Sequence, residues 1–168
     1  MGEPQVIMVA GVAGTGKSTV GQHLAHRLGW EFMDGDDLHS SRSIAKMSRG
    51  EPLDDADRRP WLWSIGQHLD DWIAQGVSGV VACSALKRVD RAQLKLDRSW
   101  LRIAFLTASR DVIASRLIGR QGHFMKASML DSQLAAEEVP LIEEDVLVLS
   151  AESPVPVIVD EIITMEGL

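Results

Sequence analysis

Five short apolar runs recur along the chain, separated by longer segments whose apolar positions are spaced as in helices. They cover residues 5–10, 30–34, 77–83, 101–107 and 145–149. The runs are almost continuously apolar and rich in β-branched residues, which is typical of strands buried on both faces of a parallel sheet. Strands that alternate with helices form three-layer α/β folds. The pattern therefore predicts a five-stranded parallel sheet with helices on both faces.

The segments between the runs carry helix signals of their own. A helix is predicted over residues 17–28, ended by Gly29, and another from Pro60 to Gln75, because proline suits the first turn of a helix. Ser109 is the predicted N-cap of a helix over residues 110–118. Further helical segments are predicted within residues 41–60, up to about Leu96 and from Ala127, and residues 155–165 fit either a helix or a strand.

Length and composition indicate an ordinary globular chain. With 168 residues, 45% of them hydrophobic and 24% charged, one domain spanning residues 1–168 is expected. The longest apolar run, residues 6–14, is about half of what a bilayer span needs, and no basic leader precedes it, so the expected location is the cytoplasm. A net charge of −7 argues against general binding to nucleic acid or membranes. The single cysteine, Cys83, excludes an internal disulfide and fits a buried thiol.

Residues 11–18, GVAGTGKS, satisfy the pattern G-x-x-x-x-G-K-[ST] between a predicted strand and a predicted helix. Glycines allow successive backbone N–H groups to curl round a phosphate at a helix N-terminus. In this role Lys17 reaches the β- and γ-phosphates of ATP, and the Ser18 hydroxyl is a Mg²⁺ ligand. The motif therefore predicts an ATP site. The candidate nucleotide contacts are Gly11, Gly14, Gly16, Lys17, Ser18 and Thr19.

Three carboxylates, those of Asp34, Asp36 and Asp37, end or follow the second predicted strand. The carboxyl ends of parallel strands form the ligand site in such sheets, and Ser84 and Thr107 fall at the same edge. Because ATP is anionic, an acidic cluster there requires a cation and a substrate that can give up a proton. Asp34 is predicted to hold waters of Mg²⁺, and Asp36 to orient an attacking hydroxyl or take its proton. Asp37 is predicted to be a solvated charge.

A phosphate-binding motif occurs in several classes of nucleotide-binding protein, and other motifs distinguish them. A GTP switch would carry N-K-x-D and D-x-x-G motifs, but the sequence has no Asn and no D-x-x-G, and nothing in it supports an ATP sensor without turnover. A small-molecule kinase must keep water from the γ-phosphate, commonly with a mobile cationic lid. Arg116 and Arg120, beside glycines between the fourth and fifth strands, predict such a lid over about residues 119–136.

Four further segments indicate which family of small-molecule kinases the chain resembles. They are DGDDLH at 34–39, KMSRGEPLDDADRRPWL at 46–62, CSALK at 83–87 and RQGHFMK at 120–126. Together with the phosphate-binding loop, they closely resemble the gluconate kinase family over nearly the whole chain. The resemblance implies a P-loop kinase fold similar to those of nucleoside monophosphate and shikimate kinases. It also implies ATP and Mg²⁺ as cofactors, phosphorylation of D-gluconate on its 6-hydroxyl, and a homodimer.

The resemblance also assigns roles to individual residues. It makes Asp36 and His39 acceptor-site residues within a segment of about residues 36–62. It makes Arg58 the clamp for the carboxylate of gluconate, a role that suits the planar fork of arginine. The other implied contacts are Ser84, Lys87 and His123 to the sugar acid, Arg116 to adenine, and Arg120, with Lys17, to the reacting phosphates.

Departures from the family pattern leave the acceptor open. The family commonly has proline directly after this histidine and asparagine three residues further on, where this chain has Ser40 and Ser43, and the exit from the fifth strand also differs. A shikimate-type kinase shares the D-x-D arrangement but usually has a glycine-rich turn where this chain reads CSALK. A nucleoside monophosphate kinase would need a base-binding site that the sequence does not show.

Overall fold

All five predicted strands are present and parallel in the computed structural model, which describes residues 2–118 and 129–168. They are β1 (Val6–Ala10), β2 (Glu31–Asp34), β3 (Gly79–Ala82), β4 (Leu101–Thr107) and β5 (Leu147–Ser150). Each bound lies within two residues of its predicted position. The strands form one sheet in the order β2-β3-β1-β4-β5. The α/β fold class predicted from the sequence is therefore confirmed.

Seven α-helices connect or flank the described strands. They are α1 (Lys17–Leu28), α2 (Ser41–Ser48), α3 (Asp55–Ala74), α4 (Arg88–Lys95), α5 (Arg110–Ile118), α6 (Leu130–Ala136) and α7 (Val155–Glu166). Two short 3-10 helices, Gly35–Leu38 and Ile142–Glu144, lie after β2 and before β5. None of the helices in the described ranges is long and apolar enough to cross a membrane.

Strand β1 lies at the centre of the sheet, between β3 and β4, and its side chains alternate between two apolar cores. Val6 and Met8 face the core built with α3, α4, α5 and α6. Ile7 and Val9 face the core built with α1 and α7. All four are fully buried. The continuous apolar run thus reflects burial of both faces, and it fixes the central strand whose carboxyl end leads into the phosphate-binding motif.

Two helix predictions, over residues 17–28 and 110–118, are confirmed to the residue. Ser109 caps the second of these, since its hydroxyl accepts a hydrogen bond from the backbone N–H of Val112 at 3.3 Å. Residues 155–166 form a helix, which decides between the two alternatives that the sequence allowed. The predicted start at Ala127 lies outside the described residues, and α6 is described from Leu130.

The prediction that Pro60 begins a helix is wrong, because α3 begins five residues earlier at Asp55. Asp54 and Asp57 form a capping box in which each carboxylate accepts from the other's backbone N–H, at 2.7 and 3.0 Å. This box satisfies helix-end donors better than a proline could, so the helix tolerates Pro60 in its second turn. The earlier start brings Arg58 into α3, on a rigid element rather than in a loop.

Candidate active site

The carboxyl ends of β1, β2 and β3 open into one cleft. The phosphate-binding motif, the 3-10 helix after β2, the first turns of α3, the β3–α4 connection and α6 all contribute to its walls. Its lining includes Gly14, Gly16, Lys17, Ser18, Asp36, His39, Arg58, Trp61, Ser84, Lys87, Asp90 and Gln133. Most of the residues that the sequence nominates are therefore neighbours. Thr107 lies elsewhere, with its hydroxyl donating to the backbone oxygen of Leu149 at 3.3 Å.

The phosphate-binding motif needs its glycines for conformation and for space. Gly11, Gly14 and Gly16 have φ of 138°, 85° and 92°, in the region where side chains are disfavoured. A Cβ on Gly11 would also lie 2.6 Å from the backbone oxygen of Leu106. Gly16 is the N-cap of α1, so the backbone N–H groups of the first helical turn face the cleft without a side-chain cap. This arrangement is suited to binding phosphate.

Ser18 and Asp34 meet where α1 begins and β2 ends. The Ser18 hydroxyl donates to Asp34 Oδ2 at 2.6 Å, while Asp34 Oδ1 accepts from the backbone N–H of Asp36 at 3.0 Å. The described residues contain no group of three or more His, Cys, Asp or Glu side chains that could hold a metal. A hydroxyl and one carboxylate suit Mg²⁺, which keeps several waters and binds through few protein ligands. The pair therefore fits the predicted metal site. Thr19, next along α1, is exposed.

Asp36 projects from the 3-10 helix into the cleft and is held near His39. The His39 Nε2 atom lies 3.5 Å from Asp36 Oδ1. The His39 ring stacks on Trp61 with centroids 4.2 Å apart, and the Trp61 indole donates to the backbone oxygen of Gly35 at 2.7 Å. These contacts fix the acidic segment against α3. Asp37, one residue on, is exposed, as expected for a solvated charge.

Arg58 lies at the cleft wall with each of its guanidinium nitrogens engaged. Nε donates to Asp90 Oδ2 at 3.2 Å, Nη1 to the backbone oxygen of Leu53 at 2.9 Å, and Nη2 to Asp55 Oδ1. The same Asp55 oxygen accepts from Lys87 Nζ at 3.0 Å. One carboxylate oxygen is thus shared by the two cations that the sequence assigns to the sugar acid. The two carboxylates differ, since the Asp55 side chain is 65% exposed and that of Asp90 only 10%.

The pKa values of the two carboxylates shift in opposite directions. The hydrogen bond from Lys87, followed by the charges of Lys87 and Arg58, lowers the pKa of Asp55. Burial raises the pKa of Asp90, and the Arg58 charge only partly opposes this. Burial likewise raises the pKa of Cys83, at the end of β3, to about 12. That thiol is fully buried and stays protonated at neutral pH, which agrees with a structural role.

Ser84 and Lys87 flank a tight turn after β3. Ser84 lines the cleft, and its backbone oxygen accepts from the N–H of Gly11 at 3.1 Å, which joins this turn to the phosphate-binding motif. Ala85 follows with a φ of 37°. The turn therefore connects the nucleotide end of the cleft with Lys87 at the cationic end.

Arg116, near the end of α5, bridges the phosphate-binding motif and the β5–α7 connection. Nη1 donates to the backbone oxygen of Thr15 at 3.2 Å, and Nη2 to that of Ala151 at 2.8 Å. It lies beside the phosphate-binding motif, as a nucleotide contact would. Arg120 and His123, the other two residues predicted from the lid stretch, lie outside the described residues.

Three residues at or beside the cleft are missed by the sequence prediction. The Gln133 side-chain oxygen accepts from the backbone N–H of Ala13 at 2.7 Å, which joins α6 to the phosphate-binding motif. Asp90 pairs with Arg58 across 32 residues. Arg91, 1% exposed, pairs with Glu144 at 2.8 Å and donates to three backbone oxygens, those of Ala85, Leu86 and Glu138. Each depends on partners far away in the chain, so no local motif indicates it.

Comparison with known proteins places this geometry among small-molecule kinases. The family model described as shikimate kinase matches residues 13–166. A gluconokinase from Gluconobacter oxydans is 45% identical over 96% of this chain and 90% of its own. A gluconokinase structure from Sinorhizobium meliloti superposes with a TM-score of 0.83 at 41% identity, covering 96% of this chain and 90% of that one. A sugar kinase structure from Janibacter gives 0.92 at 38% identity, with coverages of 98% and 95%.

Proposed function

Since the chain belongs to the gluconokinase family, we propose that it transfers the γ-phosphoryl group of ATP to the 6-hydroxyl of D-gluconate. The observation that carries the proposal is the position of the Asp55 oxygen between Arg58 Nη2 and Lys87 Nζ. It shows one carboxylate bound by two cations, and both cations line the same cleft as the phosphate-binding motif and Asp36. A substrate with a carboxylate at one end and a primary alcohol at the other matches these two ends of the cleft.

The acceptor carboxylate takes the place of Asp55 in this proposal. Asp55 is mostly exposed, so it can turn into solvent at small cost, and the substrate then receives hydrogen bonds from Arg58 and Lys87. Bidentate binding of the substrate carboxylate through Nε and Nη2 of Arg58 would also require Asp90, which is buried, to leave Nε. Shared binding by Arg58 and Lys87 needs only the exposed carboxylate to move.

At the reacting end, Asp36 orients the 6-hydroxyl and accepts its proton, with His39 beside it. Lys17 and the backbone N–H groups of the phosphate-binding motif bind the phosphates and offset the charge that develops on the transferred group. Ser18 and Asp34 are the residues that would hold Mg²⁺ and its waters. The ion, when bound, supplies positive charge beside the phosphate oxygens.

The remaining assignments extend the same proposal. Arg116 contacts the adenine end of the nucleotide, beside the motif to which it hydrogen-bonds. Arg120 and His123 act from a lid over about residues 119–136, whose described part, α6, reaches the motif through Gln133. We also propose a homodimer in the cytoplasm, as the family resemblance implies. Sedimentation equilibrium of the purified chain tests the dimer.

The proposal is tested by the product and by the need for the carboxylate. Phosphorus NMR of the product from ATP, Mg²⁺ and D-gluconate should show coupling to two methylene protons, since the 6-hydroxyl is a primary alcohol. D-Glucitol, which keeps the hydroxyls and lacks the carboxylate, should be a far poorer acceptor. Coupling to a single proton would place the phosphate on a secondary hydroxyl and contradict the proposal. Equal rates with both acceptors would remove the Arg58–Lys87 carboxylate site.

A further inference from the structure

Asp90 is a buried carboxylate at the acceptor end of the cleft that the phosphoryl-transfer scheme does not use. It lies in the first turn of α4, it is 7% exposed, and it lines the same cleft as Asp36 and Lys17. One oxygen, Oδ2, accepts from Arg58 Nε at 3.2 Å. The other, Oδ1, accepts no hydrogen bond from the part of the chain that the structure describes. A buried carboxylate with spare acceptor capacity in a substrate cleft calls for a donor on the substrate.

The guanidinium group of Arg58 indicates where on the substrate that donor lies. Nε and Nη2 form one edge of an arginine fork, and in this chain Asp90 takes Nε while Asp55 takes Nη2. A carboxylate that replaced Asp55 would therefore lie directly beside Asp90. The substrate group nearest to Asp90 is then the one on the carbon next to the carboxylate.

The charges around Arg58 allow a substrate carboxylate to lie beside Asp90. Arg58 and Lys87 carry two positive charges, and Asp55 and Asp90 carry two negative ones. When a substrate carboxylate replaces Asp55, the cluster remains balanced, so the negative charge of Asp90 is tolerated beside it. A second anionic group on the substrate would not be balanced.

We propose that Asp90 is a specificity-determining residue that accepts a hydrogen bond from the hydroxyl adjacent to the acceptor carboxylate, so that the site selects 2-hydroxy acids. This inference rests on the proposed function and adds to it the group that is read beside the carboxylate. An ionised carboxylate only accepts hydrogen bonds, so a hydroxyl at this carbon is favoured over a hydrogen atom, which would leave the Asp90 oxygen unpaired beneath the bound substrate.

The test compares two acceptors and two variants. D-Gluconate and 2-deoxy-D-gluconate share the carboxylate and the 6-hydroxyl and differ only at the carbon in question. The variants are Asp90→Asn, which keeps the shape of the side chain, and Asp70→Asn as a matched control. Asp70 pairs with Arg98 at 2.7 Å through both oxygens, and like Asp90 it links α3 to the α4 region, but it lies outside the cleft.

For the wild-type chain we expect kcat/KM for D-gluconate to exceed that for 2-deoxy-D-gluconate by roughly 10- to 100-fold, as for loss of a hydrogen bond to a charged group. Asp90→Asn should reduce this ratio to within a few-fold of one, while Asp70→Asn should leave it unchanged. Equal wild-type rates with the two acceptors would overturn the inference without any variant. A ratio that Asp90→Asn leaves unchanged would reduce Asp90 to an anchor for Arg58. Turnover with neither acceptor would instead contradict the proposed function.

Discussion

The Ser18 hydroxyl donates a hydrogen bond to Asp34 Oδ2 over 2.6 Å and so joins the start of α1 to the end of β2. The two residues come from separate sequence motifs, and both were predicted to serve the same metal ion. Their contact places the two groups side by side in the fold. The hydrogen bond therefore connects the phosphate-binding motif to the acidic segment after β2.

Asp34→Asn should weaken activation by Mg²⁺. An amide cannot hold the waters of the ion as a carboxylate does, although it can still cap the 3-10 helix by accepting from Asp36 N–H. We expect the Mg²⁺ concentration for half-maximal rate to rise roughly 10- to 100-fold, as for outer-shell partners of metals. The measurement is a Mg²⁺ titration at saturating ATP. Asp37→Asn, an exposed position in the same 3-10 helix, is the control, and identical titrations for the two variants would exclude Asp34 from the metal site.

Asp36→Asn should collapse turnover and leave ATP affinity nearly intact. The variant keeps the size of the side chain but cannot accept the proton of the attacking hydroxyl. General-base contributions are typically about 10²–10⁴-fold, and a loss in kcat within that range is expected. ATP affinity is measured separately by calorimetry. Unchanged turnover would remove Asp36 from the mechanism.

Arg58→Ala should weaken gluconate binding by roughly 2–5 kcal/mol, the usual loss when one partner of a buried charged pair is truncated. The variant also leaves Asp90 buried without its cationic partner. The affinity for gluconate is measured in the presence of a non-hydrolysable ATP analogue. If that affinity were unaltered, the clamp assignment would be wrong.

Asp55→Asn should have the opposite effect on gluconate. Asp55 holds the two cations that the acceptor carboxylate needs, and an amide oxygen is a weaker competitor for them. Because Asp55 is largely exposed, the gain should be small, with KM for gluconate falling about two- to fivefold. Steady-state kinetics provide the measurement, with KM for ATP as the internal reference. A rise in KM would mean that Asp55 assists the acceptor and does not compete with it.

Arg91→Ala should destabilise the fold by about 3–5 kcal/mol. The change leaves Glu144 without its buried partner and removes donors from the backbone oxygens of Ala85, Leu86 and Glu138. Urea unfolding gives the free energy of unfolding. Arg102→Ala, which breaks an exposed pair with Glu166, is the control and should cost under about 1 kcal/mol. Equal losses in the two variants would contradict the buried network.

The sequence predicts well where one local signal decides the structure. The glycine pattern of residues 11–18 requires a strand before it and a helix after it, and both are found at the predicted bounds or within one residue of them. The start of α3 was missed because two signals competed, and the Asp54–Asp57 capping box prevailed over Pro60. The order of the strands was not predicted, since each apolar run could pair with several others.

The sequence identifies many of the residues that line the cleft, but not the contacts between them. Asp36, His39, Arg58, Ser84 and Lys87 do line one cleft. The ion pairs that occupy Arg58 were not foreseen, because Asp90 lies 32 residues away and pairing over that separation depends on how α3 and α4 pack. Arg91 carries a charge, so its burial contradicts ordinary expectation until its partners are known.

The most direct test of the proposed activity is ADP release from ATP and Mg²⁺ with D-gluconate as acceptor, with shikimate, a mixture of nucleoside monophosphates and no acceptor run in parallel. We expect turnover with D-gluconate and only background ADP release in the other three reactions. Turnover with shikimate or a nucleoside monophosphate instead, or equal ADP release without an acceptor, would contradict it and leave only the nucleotide site.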